Sequence, residues 1–172
     1  MVSATNPHPN KRIEHITVID APVEAVWKAL VDTEDWKNWN QWTLLDTSGT
    51  APEAGLKGTL RACYAGNDRD WLSFPFEFAE VVDGSNSKQQ QYVLAWKGQL
   101  LGGCLFSGYH TMRLEAQKQR TKLIHTEIFG GLLPMLKLAM PYTRLDNNYR
   151  LMNESLKKHV EQTSKDNNKK KK

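Results

Sequence analysis

His110, His125 and Glu127 are the residues of this chain whose types and spacing suit chemistry. His110 stands in a run where Phe106, Gly108, His110, Met112 and Leu114 occupy alternate positions. His125 and Glu127 stand in a second run with Leu123 and Phe129. Alternate residues of a strand share one face. The apolar ends of both sets turn that face inward, so two imidazoles and one carboxylate point into the same space from neighbouring strands. Imidazole titrates near neutrality, and a carboxylate beside it orients the ring and holds its charge, which suits proton transfer at carbon or oxygen. The same groups also suit a plainer role as the few polar members of an apolar pocket, hydrogen-bonded to each other or to water.

The other candidates for lining such a pocket are mostly aromatic. Phe76 alternates with Phe74 and Phe78, and Trp96 alternates with Tyr92 and Leu94. Leu138, Tyr142 and Tyr149 fall on one seam of the last element, where each tyrosine offers an apolar ring and a hydroxyl within reach of a ligand. With Phe106, Met112 and Phe129 they complete the expected ligand-binding set around His110, His125 and Glu127. Four of the six tryptophans lie between Thr17 and Trp42. Trp27 and Trp36 read as builders of a helix–sheet contact, and Trp39 or Trp42 as a border of the cavity mouth.

These side chains need elements to hold them. The stretch from Arg12 to Asp20 is rich in β-branched residues and predicts a strand. Asp20 and Pro22 then mark a helix start, with the Asp as acceptor for free amides. Val23, Val26, Trp27 and Leu30 follow at helical spacing and form one apolar stripe. "TEDWKNWNQW" predicts a second short helix capped by Thr33. Shorter strands follow around "WTLLD", "KGTLRACY", Phe74–Phe78 and "QQQYVLAWKG". A hairpin comes next, from about Cys104 to Ala116 and Thr121 to Phe129, turning at "QKQR". Leu145, Tyr149, Met152, Leu156 and Val160 then recur at steps of three and four along a closing helix, with Pro141 near its start. One long helix over a broad curved antiparallel sheet leaves space beneath it, and such space binds apolar molecules.

Three stretches resemble the START-like helix-grip superfamily, SRPBCC, nearest to its polyketide cyclase/dehydrase-like group. "IDAPVEAVWKALVDTEDWKNWNQW" resembles the opening strand and paired helices. "LAWKGQLLGGCLFSGYHTMRLEAQKQRTKLIHTEIFGG" resembles the late strands and ends in E-x-F-x-G. "NNYRLMNESLKKHVEQ" resembles the closing helix. The resemblance spans residues 13 to 162. It implies an α+β helix-grip fold, a curved antiparallel sheet of about seven strands wrapped around a long C-terminal helix, with two short helices after the first strand. The superfamily holds carriers, receptors, cyclases and hydrolases, so the fold alone selects no reaction. The primary expectation is binding, transport or sequestration of a lipid, sterol or polyketide in a central cavity. The alternative is a cofactor-independent cyclase or dehydratase using His110, His125 and Glu127 as proton carriers.

Composition narrows the rest. The chain of 172 residues suits one domain with a real core. Of its 23 basic residues, four are Lys169–Lys172, and the remaining 19 balance 19 acidic ones. A neutral body argues against a phosphate-binding face and hence against nucleic acid as partner. The expected division is a loose arm at 1–10, the domain at 11–163, and a disordered polybasic tail at 164–172. The tail reads chiefly as a solubilising end; a nuclear address or contact with anionic lipid is the other reading. "GGLLPMLKLAMPY" is too short to span a bilayer, which needs roughly 20 apolar residues. With the tail, segment 130–141 suits a gate or a transient membrane contact. The start lacks the apolar stretch of a secretory signal, which points to the cytoplasm. Cys63 and Cys104 read as buried thiols rather than a disulfide. No metal-ligand spacing, phosphate loop, HExxH or G-x-S-x-G occurs, so neither metal nor cofactor is expected. The sequon at Asn153 falls inside a helical pattern and is read as chance.

Overall fold

The computed structural model describes residues 12–63, 71–86, 91–100, 103–132 and 142–169. Leu138, most of segment 130–141, the N-terminal arm and the last three lysines lie outside the described residues.

Seven antiparallel strands form one sheet in the order β1-β7-β6-β5-β4-β3-β2. They are β1 (Arg12–Ile19), β2 (Thr43–Asp46), β3 (Lys57–Cys63), β4 (Trp71–Val82), β5 (Gln91–Leu100), β6 (Phe106–Gln117) and β7 (Arg120–Gly130). Helices α1 (Val23–Val31) and α2 (Trp36–Trp39) follow β1, and α3 (Tyr142–Lys169) closes the chain. This is the helix-grip layout, α+β in class. Among the described residues no helix is long and apolar enough to cross a membrane.

The period-two pattern positions the site. Phe78, Trp96, His110, Glu127 and Ile13 form one cross-sheet row through β4, β5, β6, β7 and β1. The row on one side runs Phe76, Gly98, Gly108, Phe129, and the row on the other runs Leu94, Met112, His125, His15. All three face the helices.

The helix starts differ from expectation. Pro22 is the N-cap of α1, and its carbonyl takes the amides of Ala25 and Val26 at 3.0 and 3.3 Å. Asp20 caps nothing there; its own amide donates to Glu161 at 2.8 Å on α3. Thr33 does not cap α2 either. Asp35 holds the N-cap position without a side-chain bond, while Thr33 lends its carbonyl to Trp36 at 3.3 Å. A helix this short is held by burial of Trp36 and Trp39 rather than by its cap.

Val23, Val26, Trp27 and Leu30 are all buried, as the stripe required. Trp36 is the hub of the aromatic packing. Its ring meets Trp39 at 5.4 Å and Trp96 at 5.8 Å, and its Nε1–H donates to the Leu30 carbonyl at 3.0 Å. Trp27 packs on Tyr92 at 5.5 Å. These rings fill the half of the space beneath α3 that adjoins α1 and α2. Trp39 belongs to this core, 5% exposed, and Trp42 is partly buried against it. Neither borders the cavity described below.

Helix α3 buries Leu145, Asn148, Tyr149, Met152, Asn153, Leu156 and Val160 toward the sheet. It runs to Lys169, past the boundary expected at 163, with Lys165 and Asp166 exposed. A polar composition shows that a segment does not pack; it leaves the backbone free to continue its own helical bonds. Cys63 is buried but Cys104 is exposed, against the expectation of two buried thiols, because Cys104 lies before β6 rather than on its inward face.

The β6–β7 hairpin turns through Lys118, which takes φ +57°. A side chain in this region costs about 1–2 kcal/mol, a cost glycine escapes. Lys118→Gly is therefore expected to raise stability by up to about 1 kcal/mol, after allowing for its looser unfolded chain. Urea denaturation midpoints of the two proteins check this.

Candidate functional site

The inward row of β6 and β7 brings His110, His125 and Glu127 together, as the alternation required. All three are buried, at 3%, 1% and 7% exposure. Helix α3 adds Tyr149 and Asn153, one turn apart on its inner face. The Tyr149 hydroxyl donates to Glu127 Oε2. Trp96 backs the cluster, with its ring stacked on His110 at 4.1 Å and 14°.

The hydrogen bonds have a direction. Asn153 Nδ2 donates to Thr17 Oγ1 at 3.2 Å, which leaves Asn153 Oδ1 as the acceptor for His125 Nδ1–H at 2.6 Å. A neutral imidazole carries one N–H, so His125 Nε2 holds a lone pair. It accepts from His110 Nε2, to which it is hydrogen-bonded. His110 Nδ1 is then the bare nitrogen, and it faces Glu127 Oε2 at 3.8 Å. The chain of bonds thus runs from β1 and α3 through two neutral imidazoles and ends in a proton acceptor beside a carboxyl group.

Electrostatics agree with neutral imidazoles. Burial, with His125 beside it, drives His110 well below the ordinary histidine range. Burial lowers His125 to about 4, against a modest opposing pull from Asn153. Burial also raises Glu127 to about 7, although the Tyr149 hydrogen bond works against the rise. Near neutral pH Glu127 is therefore the group that exchanges its proton, and His110 Nδ1 is the nearest base facing it. Both nitrogens of His125 are engaged. Among the described residues no group of three or more His, Cys, Asp or Glu is placed to hold a metal ion.

Glu127 and Tyr149 also form the polar end of a cavity of about 40 Å³ between β3, β4, β6, β7 and the first turns of α3. Leu60, Phe74, Phe106, Phe129 and Leu145 wall it, with Gly98 on the sheet side. A Cβ on Gly108 would come within 2.4 Å of Glu127 Oε1, so the bare backbone there is what seats the carboxyl group. The space matches one or two water molecules rather than a whole organic ligand. The broad central cavity expected from one helix over a wide sheet is thus small among the described residues, because the α1–α2 aromatics occupy much of it.

The expected lining residues fall into three groups. Phe106, Glu127, Phe129 and Tyr149 line the cavity. Tyr142 packs edge-on against Phe129 at 5.4 Å, and His110 and His125 lie behind Glu127. Phe76, Trp96 and Met112 are core: Trp96 and Met112 are 1% and 0% exposed, and Phe76 packs on Phe78 at 5.0 Å. Asn153, Thr17, Leu60, Gly98 and Leu145 were not singled out as site residues, whereas Phe74, read with Phe76 and Phe78 as a cavity wall, does line it. Asn153 had a signal: it follows Tyr149 by four positions on the same face. Its burial, at 1%, also keeps the sequon closed to glycosylation in the folded chain.

Asn153→Leu leaves the His125 N–H buried without an acceptor and is expected to cost about 1–3 kcal/mol in urea denaturation. Asn153→Asp keeps the acceptor and adds negative charge, so it is expected to raise the His125 pKa from about 4. A pH titration of the imidazole resonances reads this. An unshifted His125 would show that residue 153 is not in contact with its ring.

No protein-family model matches the chain, and a search of characterised proteins finds no match. Solved structures do match. A hypothetical protein, jhp0584, from Helicobacter pylori superposes with a TM-score of 0.69 at 15% identity, covering 91% of each chain. The Zhui aromatase/cyclase from Streptomyces sp. R1128 gives 0.63 at 16% identity, covering 88% of this chain and 93% of its own. Truncated norcoclaurine synthase from Thalictrum flavum gives 0.56 at 12% identity, covering 87% and 92%. At these identities the likeness is one of fold.

Proposed function

We propose that this chain, which has the START-like helix-grip fold, binds a small, mostly apolar molecule whose polar end sits against Glu127 and Tyr149. The observation that carries this reading is the cavity itself. Its walls are hydrocarbon and aromatic, and its polar groups converge at one end. That is the usual makeup of a small-molecule site, where a few polar groups set orientation and apolar walls supply affinity. The space described takes only the head of such a molecule, so the remainder must displace wall side chains or extend out of the cavity.

A second reading, acid/base catalysis of a cyclase or dehydratase type, is favoured by Glu127. A carboxyl group raised to about 7 beside an unprotonated imidazole suits both donation and removal of a proton at neutral pH. The aromatase/cyclase and norcoclaurine synthase among the structural neighbours show that this fold supports enzymes.

Mass spectrometry of the protein, native and then after organic extraction, tests the first reading. A co-purifying apolar molecule lost from Gly108→Val is expected, because the valine side chain enters the head of the cavity. A molecule equally retained by Gly108→Val would place the binding site elsewhere.

A further inference from the structure

We propose that the ligand carries a protonated amine, held by the Glu127 carboxylate and the aromatic rings around it; this rests on the cavity-binding reading above. Glu127 is the sole ionisable acid or base among the described residues lining the cavity besides the Tyr149 phenol, and no lysine or arginine lines it. The described lysines and arginines of β3 to β7 stand at outward positions: Lys57, Arg61, Lys97, Arg113 and Arg120 are exposed, and the half-buried Lys122 pairs with Glu115 at 3.1 Å. The two nearest imidazoles are neutral, and the hydrogen-bond direction turns a lone pair of His110, not an N–H, toward the carboxyl group. Among the described residues the carboxyl group is therefore buried without a cation.

Its hydrogen-bonding capacity is also incomplete. Oε2 accepts from Tyr149, whereas no hydrogen bond to Oε1 is found among the described residues. Oε1 rests over the bare backbone of Gly108, whose cross-strand partner Gly98 lines the cavity. A buried carboxylate with one oxygen unbonded and no counter-charge is costly, and a ligand cation that supplies both charge and N–H donors removes that cost. The walls suit the same ligand. Phe74, Phe106, Phe129 and Tyr149 surround the space, and Phe106 and Phe129 stand 6.2 Å apart at 45°. Ring faces attract ammonium groups, most strongly where water is excluded. An anion finds the reverse: a like charge, no donor cation and electron-rich ring faces. The small volume fits an ammonium with its first carbons, the chain continuing outward.

The test compares three probes of one length, hexylamine, 1-hexanol and hexanoate, by calorimetry at pH 7.5 on the full chain. Hexylamine is expected to bind at least about tenfold more tightly than hexanol, with hexanoate weakest. The preference for hexylamine over hexanol is expected to grow between pH 5 and 8 as Glu127 ionises, and to disappear in Glu127→Gln. The pH series keeps the test informative if that variant does not fold. Hexanol or hexanoate binding as tightly as hexylamine would overturn the amine assignment and leave the cavity-binding reading standing. Binding of none of the three would overturn the cavity reading and this one with it.

Discussion

Glu127→Gln is expected to be about 3 kcal/mol more stable than the parent chain at pH 8, with the difference vanishing below about pH 4. Glu127 has a folded pKa of about 7 against an ordinary value of 4.5. Below 4.5 the group is protonated in both states and contributes no difference. Between 4.5 and 7 the unfolded chain releases the proton while the folded chain keeps it, so stability falls as pH rises. Above 7 the loss is complete. Gln retains an oxygen for the Tyr149 hydroxyl and never ionises, so it removes the loss. Chemical denaturation from pH 4 to 8 checks this. Parallel curves for the two proteins would show that Glu127 does not titrate as its burial requires.

The histidines impose the opposite slope. His125 falls from 6.5 unfolded to about 4 folded, and His110 falls well below the same starting value. Their stability contribution is fully present above 6.5 and is lost as pH falls, because the unfolded chain then binds protons that the folded chain refuses. Two histidines outweigh one carboxyl group between 4.5 and 6.5, so this cluster is most stabilising near about pH 6.5. Glu127→Gln is expected to steepen the rise in stability between about pH 4.5 and 6.5 and to remove the fall on the alkaline side, the two curves coinciding below about pH 4.5.

Trp96→Ala is expected to cost about 3–5 kcal/mol, enough to leave a protein of ordinary stability near its unfolding threshold. The indole is 1% exposed and fills the junction between Trp36, at 5.8 Å, and His110, at 4.1 Å. Truncation leaves a cavity among groups too large to close it and removes the face against which His110 is held. Trp96→Phe retains part of the stack and is expected to lose less, about 1–2 kcal/mol. Denaturation midpoints measure both. The same variants separate core from ligand wall: an affinity lost with stability intact would return Trp96 to the lining role its strand position had suggested.

Much of this was legible in the sequence because periodicity is a local property. Alternation in β6 and β7 placed His110, His125 and Glu127 on one inward face, and their register then made His110 and Glu127 direct partners. The Val23–Leu30 stripe and the seam from Leu145 to Val160 likewise located the faces of α1 and α3. Periodicity reports which face a residue occupies. It does not report what that face meets. Trp96 and Phe106 both point inward, yet one is core and the other lines the cavity, because Trp36 arrives from α2 to cover the first.

The sequence by itself thus determined the helix-grip layout, the inward set of residues and the presence of a polar cluster in apolar surroundings. The tertiary structure alone decided the rest. Asn153 meets His125 across 28 residues of chain and Thr17 across 136, and only that meeting fixes the direction of the hydrogen bonds. The volume left beneath α3 was equally hidden, since it is the space remaining after side chains from distant elements have packed. Local pattern sets the direction of each side chain; occupancy and proton position depend on the simultaneous arrangement of several elements in three dimensions.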